Sequence, residues 1–209
     1  MRVSTMTQRQ PTLPWLTLAL AGSMVALFAA FGPAPASLVY DQVAIADGQW
    51  WRLLTAHLVH SDVQHLAWNL AGLLVLGTLL EPIDHKAFLA ALFAGAIGVD
   101  MALIGLLPHI DFYCGLSGAL NTLLLPLLIA FWTRTRSPLV LIIAVASLVK
   151  ILVELSLGQA LFTQTAWASV PAVHLAGWLA GGLSVLPDRV AALWRRTSIS
   201  PYPLNGEQP

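Results

Sequence analysis

Charged residues are scarce in this sequence. Asp, Glu, Lys and Arg make up only 10% of its 209 residues, whereas a soluble domain contains about 25%. Hydrophobic residues account for 57%, so too few polar groups are present to cover a water-facing surface. The net charge is zero and no basic run occurs, which argues against nucleic acid as a partner. This composition is typical of an all-α, polytopic membrane protein.

Cysteine is also scarce, because Cys114 is the only one in the sequence. An internal disulfide framework is therefore excluded. The motif H-E-x-x-H, which places zinc ligands on one helical face, is absent. His57, His60 and His65 follow a spacing that does not put three ligands on one face of a helix. We predict no metal and no cofactor.

Six apolar segments are each close to the length of about 20 residues that crosses the hydrocarbon core. Proline residues lie near most of their ends, where helices break. The segments are 14–32, 60–80, 87–107, 114–132, 138–157 and 170–187. We expect one domain over 14–190, preceded by a cytoplasmic N-terminus (1–13) and followed by a disordered cytoplasmic tail (191–209).

The distribution of Lys and Arg predicts the orientation of these segments. If the N-terminus is cytoplasmic, one side of the membrane receives almost all of these residues and the other receives only Arg52, while Lys150 falls inside the fifth segment. Both termini are then cytoplasmic.

A cleaved secretory signal is an alternative interpretation of the first segment, because residues 15–31 and "APAS" resemble one. The apolar run is longer than the apolar core of such signals usually is, so we favour a retained first helix.

Polar side chains in a membrane span are costly and indicate function. His65 and Asn69 lie near the start of the second segment, Ser117 near the start of the fourth and His174 near the start of the sixth. In the predicted orientation these three segments all run inward from the outer face, so His65, Ser117 and His174 reach one shallow layer. Three separate helices thus bring polar groups together.

The residue types in this layer fit acyl transfer. A serine hydroxyl is a weak nucleophile and needs an adjacent base, and His174 can accept the proton of Ser117 and return it to the leaving amine. No acidic residue in the layer stands out as a third member, so we predict a Ser–His dyad. His65 and Asn69, spaced i, i+4 on one helical face, and the backbone N–H of Ser117 are candidate oxyanion donors.

Small residues indicate how the fourth and sixth segments meet. Gly177 and Gly181 share a helical face with His174, and small residues on such a face allow close helix packing in membranes. Gly115 and Gly118 offer a matching surface beside Ser117. Glycine packing, serine and histidine therefore point to one helix–helix contact.

Other polar residues have structural explanations. We expect His57 and His60 at the membrane interface and Glu81 capping or anchoring the inner end of the second segment. Asp100, and Lys150 with Glu154, form either a buried polar network or an i, i+4 pair. Cys114 is more often inert than catalytic, although it lies near Ser117.

Taken together, these residues resemble the rhomboid family of intramembrane serine proteases, which have a six-transmembrane-helix fold. The resemblance covers nearly the whole chain. The matching pieces are Trp51 and Arg52, "HSDVQHLAWN" with His60, His65 and Asn69, Glu81, "GLSG" around Ser117, and "HLAGWLAGG" with His174, Gly177 and Gly181.

The resemblance implies roles for individual residues. Ser117 is implied as nucleophile and His174 as base, with His65 and Asn69 lining the oxyanion pocket. Gly115 is implied to leave room for substrate backbone, and Trp51 with Arg52 to belong to a structural lateral loop. Many rhomboids carry a tyrosine one turn after the serine that stacks on the histidine. Asn121 stands there in this sequence, and we expect it to hydrogen-bond His174 instead.

Within this family the stretch "RLLTAHLVHSDVQHLAWNL" is similar to rhombosortases. That similarity implies a Gram-negative inner membrane, with the site toward the periplasm. It also implies substrates with a C-terminal GlyGly-CTERM tail, which consists of a glycine pair, a hydrophobic helix and a basic cluster. Membrane lipids are the other expected partners.

Two further function classes compete with a protease. An inactive rhomboid-like binding or chaperone protein would lack Ser117 or His174, and both are present. A small transporter would use Asp100, Lys150 and Glu154 as a polar path, and would be expected to have internal repeats and broken helices, neither of which is evident.

Overall fold

The computed structural model describes residues 13–186, and helices make up most of it. A helix occupies each of the six predicted segments. The elements in chain order are α1 (Trp15–Phe31), β1 (Tyr40–Asp41), α2 (Gln42–Ala46), α3 (Arg52–Thr55), α4 (Val63–Leu80), α5 (His85–Gly105), β2 (Phe112–Tyr113), α6 (Ser117–Thr135), α7 (Pro138–Leu157) and α8 (Pro171–Ser184). The predicted termini, 1–13 and 191–209, lie outside the described residues apart from residue 13.

Side-chain caps fix where several helices begin. Asp62 accepts a hydrogen bond from the backbone N–H of His65, and Asp84 does the same for Ala87, so α4 and α5 begin directly after these residues. Helix α6 begins at Ser117 rather than at residue 114 as predicted. Gly115 has φ +107°, which is incompatible with a helix, so the helix cannot start before it.

Three helices in the described part of the chain are long and apolar enough to cross a membrane, namely Val63–Leu80, His85–Gly105 and Pro138–Leu157. Helix α1 is apolar but shorter. Large aliphatic side chains project outward from these helices; on α7, for example, Ile142 and Val145 are both 62% exposed. Such outward apolar surface is what a helix facing lipid requires.

Helix α6 lies at the centre of the bundle, in contact with α4, α5, α7 and α8. Its apolar side chains Leu120 and Leu123 join a core with Leu73 from α4 and Phe88 from α5. The central position of α6 means that its first residue, Ser117, lies inside the bundle rather than at its edge.

Glycines bring α8 against α6. A Cβ atom at Gly177 would overlap the backbone carbonyl of Gly118, and one at Gly181 would overlap the carbonyl of Thr122. Pro126 lacks the N–H that would normally bond the Thr122 carbonyl, and this carbonyl instead lies against Gly181. The predicted close contact between the two helices is present, with Gly118 rather than Gly115 facing Gly177.

Helix α1 is tied to the inner end of α4. Both oxygens of the Glu81 carboxylate accept hydrogen bonds, from the N–H groups of Leu16 and Thr17 at 2.9 and 2.8 Å and from the Thr17 hydroxyl at 2.7 Å. Acidic groups stabilise helix N-termini because free N–H groups and the helix dipole point toward them. Glu81 therefore anchors α1 as well as ending α4.

The segment between α1 and α4 is held by the predicted structural residues. The buried Arg52 guanidinium donates to the carbonyls of Ala36 and Val39 at 2.7 and 2.9 Å, and the Trp51 indole donates to the carbonyl of Ser37 at 3.1 Å. The two-residue strands β1 and β2 pair antiparallel. This pairing is a small departure from the all-α prediction and joins the loop to the chain just before Ser117.

Candidate active site

Ser117 is the first residue of α6. The turn before it is fixed by the N–H of Gly115, which donates to the carbonyl of Ala56 at 2.8 Å, and by the Tyr113 hydroxyl, which donates to the Gly115 carbonyl at 3.0 Å. Because glycine adopts positive φ without steric cost, Gly115 permits the sharp entry into the helix. The serine is thus presented at a helix N-terminus by a rigid turn.

His174 lies one turn into α8, and its Nε2 atom is 3.0 Å from the hydroxyl oxygen of Ser117. This is hydrogen-bond distance, and the two residues are 57 positions apart in sequence. The histidine is buried, with 8% of its surface exposed. The geometry allows direct proton transfer from serine to imidazole.

The predicted oxyanion residues share one face of α4. Asn69 is buried and donates its side-chain amide to the backbone carbonyl of His65 at 2.9 Å. The Nε2 edge of His65 lies where a Cβ atom of residue 115 would be, so Gly115 makes room for this imidazole. The resemblance implied room for substrate backbone at Gly115, whereas the structure fills that space with His65. Both α4 residues line the same cavity as Ser117 and His174.

A chain of hydrogen bonds orients His65. Its Nδ1 atom lies 3.0 Å from the Ser61 hydroxyl, which in turn donates to Oδ2 of Asp62 at 2.8 Å. Burial opposes ionisation of Asp62, but hydrogen bonds from the N–H groups of Ala166 and His65 and from Ser61 outweigh it and hold the pKa of this carboxyl below its usual value. Asp62 is therefore an anion at neutral pH.

Asn121 does not make the predicted bond to His174. Its amide donates to the backbone carbonyl of Ser117 at 2.8 Å, because an asparagine side chain is short enough to bond the carbonyl one turn earlier on its own helix. The imidazole is therefore not held by residue 121.

An acidic residue does lie beside His174, contrary to the expectation of a layer without one. Oε2 of Glu154, on α7, is 3.6 Å from Nδ1 of His174 and 2.8 Å from Nζ of Lys150. A sequence signal was present, since α7 runs outward in the predicted orientation and Glu154 is three residues from its outer end. The i, i+4 pair with Lys150 was one of two predicted arrangements; the contact with His174 on another helix was not predicted.

Cys114 is not a competing nucleophile. It is 4% exposed, and burial, with the negative charge of Asp62, raises the pKa of its thiol to about 12. Only the thiolate is strongly nucleophilic, so this thiol is unreactive at neutral pH.

His57 and His60 do not expose their rings, as side chains expected at the membrane interface would. Both rings are buried inside the protein, at 2% and 0% exposure. Nε2 of His57 lies 3.2 Å from Oδ1 of Asp100, whose side chain is partly buried, so the two residues form a pair inside the protein. His60 packs edge-on against His65, and burial together with that neighbour lowers the pKa of His60 to about 3. Its ring is uncharged and supports His65 by contact.

A cavity of about 1030 Å³ surrounds the serine and histidine. Helix α4 contributes Trp68 and Leu76 to it, α7 contributes Leu155, and the segment between α7 and α8 contributes Phe162 and Trp167. The cavity thus lies between α4 and α7, beneath the connection that leads to α8. Within residues 13–186, no group of three His, Cys, Asp or Glu side chains is arranged to hold a metal ion.

Apolar helices that enclose a hydrogen-bonded serine and histidine define a membrane protein with the side-chain arrangement that serine hydrolases use. Comparison with known proteins gives the particular family. Residues 47–188 match the rhomboid domain. This is more than half of the chain, and the chain belongs to the rhomboid family.

Two Bacillus subtilis (strain 168) proteins are similar to parts of it. Rhomboid protease GluP is 36% identical over 77 residues, and YdcA, a candidate rhomboid protease, is 33% identical over 54 residues. The matched stretches are 36% and 26% of this chain, and they span only 15% and 27% of the relatives. At the level of the family, these names imply intramembrane serine proteolysis.

Proposed function

We propose that this chain is an intramembrane serine endopeptidase in which Ser117 and His174 form the catalytic dyad. The single observation that supports it best is the 3.0 Å separation between the Ser117 hydroxyl and Nε2 of His174. Family membership supports the same chemistry. The reaction needs no cofactor.

In this scheme the Ser117 oxygen attacks the carbonyl carbon of a substrate peptide bond while Nε2 of His174 takes the hydroxyl proton. The tetrahedral intermediate collapses, the C–N bond breaks, and the histidine returns the proton to the departing amine. An ester between Ser117 and the N-terminal part of the substrate is left. Water, or another amine, then releases this acyl group with His174 again acting as base.

The oxyanion formed during attack needs hydrogen-bond donors. The backbone N–H of Ser117 is one, because the first N–H groups of a helix have no partner inside the helix. His65 and Asn69 are the side-chain candidates. For Nε2 of His65 to donate, the Ser61 hydroxyl turns its proton toward Nδ1; Asp62 then still accepts the N–H groups of His65 and Ala166.

The proposed substrates are membrane proteins with a C-terminal GlyGly-CTERM tail. The cavity between α4 and α7 has apolar walls, including Trp68, Leu76 and Leu155, which suit a hydrophobic helix. The resemblance of residues 52–70 to rhombosortases supports a glycine pair at the cleavage point, where small residues fit beside His65 and Ser117.

The proposed setting is a Gram-negative inner membrane crossed by six helices, within one domain over 14–190. Both termini are cytoplasmic and the dyad is toward the periplasm, as the Lys and Arg distribution predicts. The hydrogen bonds between Glu81 and the start of α1 support a retained first helix, because cleavage after residue 36 would remove the partner of a buried carboxylate.

The test is co-expression with a tagged GlyGly-CTERM substrate and mass spectrometry of its new C-terminus. We expect cleavage by the wild type, none by Ser117→Ala or His174→Ala, and no effect of chelators. A serine-directed phosphonate probe should label Ser117 only when His174 is intact.

A rhomboid-like chaperone is the second candidate. The similarity to named proteases spans only 36% and 26% of this chain, so a rhomboid fold that binds substrate without cleaving it is the alternative to test. Binding of the substrate tail without any cleavage product, by wild type and Ser117→Ala alike, would favour it over the protease. Cleavage retained in Ser117→Ala would contradict the dyad.

A further inference from the structure

The imidazole of His174 has an unusual environment on the side away from Ser117. Its Nδ1 atom is buried and has no hydrogen-bond partner within residues 13–186. The nearest acidic group is the carboxylate of Glu154, with Oε2 at 3.6 Å. That distance is too long for a hydrogen bond, but it is a close contact for a charge. Hydrogen bonds of catalytic groups are often long before substrate binds and shorten in the reacting complex.

Glu154 is held firmly in this position. It is 1% exposed, and a buried carboxylate must be paired. Oε1 accepts the backbone N–H of Leu161 at 3.0 Å, and Oε2 accepts Nζ of Lys150 at 2.8 Å. Both oxygens are therefore fixed, one by its own helix and one by the segment that follows α7. The carboxylate cannot turn away from His174 without losing both bonds.

We propose that Glu154 is a positioning residue for His174, so that the site works as a Ser117–His174–Glu154 triad; this rests on the proposed function. A proton on Nδ1 leaves the Nε2 lone pair directed at the serine hydroxyl. Glu154 favours that tautomer because its carboxylate attracts the Nδ1–H group. It also stabilises the positive charge that the imidazole gains when it takes the serine proton.

Lys150 sets the strength of this effect. Its ammonium group and the imidazole face the same oxygen of Glu154. Lys150 keeps the carboxylate ionised and also offsets part of its charge. Its side chain is 40% exposed and lines the cavity, whereas that of Glu154 is buried.

Other titratable groups stand on neighbouring elements. Helix α6 provides the Ser117 hydroxyl, 3.0 Å from Nε2 of His174, while His65 on α4 and Tyr113 on β2 line the same cavity. Helix α5, which packs against α8, carries Asp100, whose Oδ1 is 3.2 Å from Nε2 of His57. Asp100 is thus paired elsewhere. Among the described residues, Glu154 is the acidic group in ion-pair distance of Nδ1.

Charge-changing variants test the proposal through the pH dependence of the reaction. The purified full chain in liposomes is assayed for kcat, KM and pH profile with the tagged tail substrate. Labelling of Ser117 by the phosphonate probe is followed over the same pH range. The base works only when uncharged, so both rates fall on the acidic side as His174 becomes protonated. Glu154→Gln keeps an acceptor for Leu161 but removes the negative charge.

For Glu154→Gln we expect kcat to fall about 10- to 100-fold with KM nearly unchanged, less than the about 10⁴-fold loss when the acid of a hydrogen-bonded triad is neutralised. The acidic limb of the pH–rate profile should move to lower pH, because a negative charge close to the ring is removed. Lys150→Met should move the limb to higher pH, since a repelling charge is removed. Glu154→Asp should restore part of kcat.

Asp100→Asn is the matched control, because it removes a carboxylate of α5 that is paired with a different histidine, His57. We expect its acidic limb to coincide with that of the wild type. Limbs that stay in place in both Glu154→Gln and Lys150→Met would overturn the proposal, even if Glu154→Gln loses activity through poor folding.

Failure of the proposed function is distinguishable from failure of the triad. If no tail is cleaved but the probe still labels Ser117, the pH shifts of labelling alone decide the role of Glu154. If the probe never labels Ser117 in the wild type, the dyad and the triad both fail. If cleavage and labelling are normal but no limb shifts, only the triad fails.

Discussion

At the scale of single residues, neighbours decide what each polar group can do. Ser117 and Ser23 are both serines in apolar helices, yet Ser23 bonds the carbonyl one turn back on its own helix at 2.8 Å. Ser117 is at the first position of α6, where no such carbonyl precedes it within the helix. Its hydroxyl is therefore available to His174. The same logic makes Cys114 inert, since burial and the nearby negative charge of Asp62 raise the pKa of its thiol and keep it protonated.

The role of His65 can be tested at this scale. If its imidazole donates to the oxyanion, His65→Ala should lower kcat by about 10²- to 10³-fold, the usual loss for one such donor, with a much smaller change in KM. Steady-state kinetics with the tagged tail measures this. His60→Asn removes only the ring that packs against His65. A loss of kcat in His60→Asn as large as in His65→Ala would therefore contradict a direct role for His65.

At the scale of helices, the contact between α6 and α8 brings the two catalytic candidates together. No methylene separates the backbones at Gly177 and Gly118, and small residues at such contacts let membrane helices approach closely. Both His174 and Gly177 lie on α8 within one turn of each other. The spacing of the helices and the position of the imidazole are therefore set by the same face.

Gly177→Val should push α8 away from α6. The added atoms would overlap the Gly118 carbonyl, and such overpacking typically costs about 1–3 kcal/mol. We expect a lower Tm and loss of probe labelling at Ser117. Gly182→Ala is the control, because a Cβ there would meet only Leu125 at an ordinary 3.6 Å. Normal labelling in Gly177→Val would show that the close contact is not required.

At the scale of the whole molecule, the orientation in the membrane determines which compartment Ser117 and His174 face. The positive-inside rule predicts that the segment between α1 and α4 is periplasmic and the turn between α4 and α5 cytoplasmic. One exposed residue is available on each side: Val43, which is 70% exposed, lies between α1 and α4, and Lys86 lies in the first turn of α5.

A membrane-impermeant maleimide tests that orientation on spheroplasts. In a Cys114→Ala background, Val43→Cys should be labelled from outside and Lys86→Cys only after the membrane is opened. The reverse pattern would place the site toward the cytoplasm and would contradict processing of exported proteins. Equal labelling of both would indicate leaky membranes, which a cytoplasmic marker protein excludes.

Much of the fold was predictable because it depends on local sequence. Apolar runs predicted a helix in each of six segments, but not the residues at which α4, α5 and α6 begin. Asp62 and Asp84 cap the first two of these helices. The predictions that were wrong concern the contacts of individual side chains. Asn121 bonds its own helix, His57 and His60 are buried, and the space beside Gly115 is filled by His65. The burial of the two histidines and the space beside Gly115 depend on other elements of the fold, whereas the Asn121 bond is a local alternative on its own helix.

The sequence by itself determined that the chain enters a membrane, which segments are helical, and which serine and histidine are candidates, because hydropathy and residue chemistry are properties of short stretches. Only the tertiary structure decided that Ser117 and His174 are 3.0 Å apart and that Glu154 stands behind the histidine. Those distances depend on how three helices, separated by loops, pack side by side. Packing depends on the shapes of the helix surfaces that meet, and the hydropathy pattern of one segment does not show which other helix it will pack against.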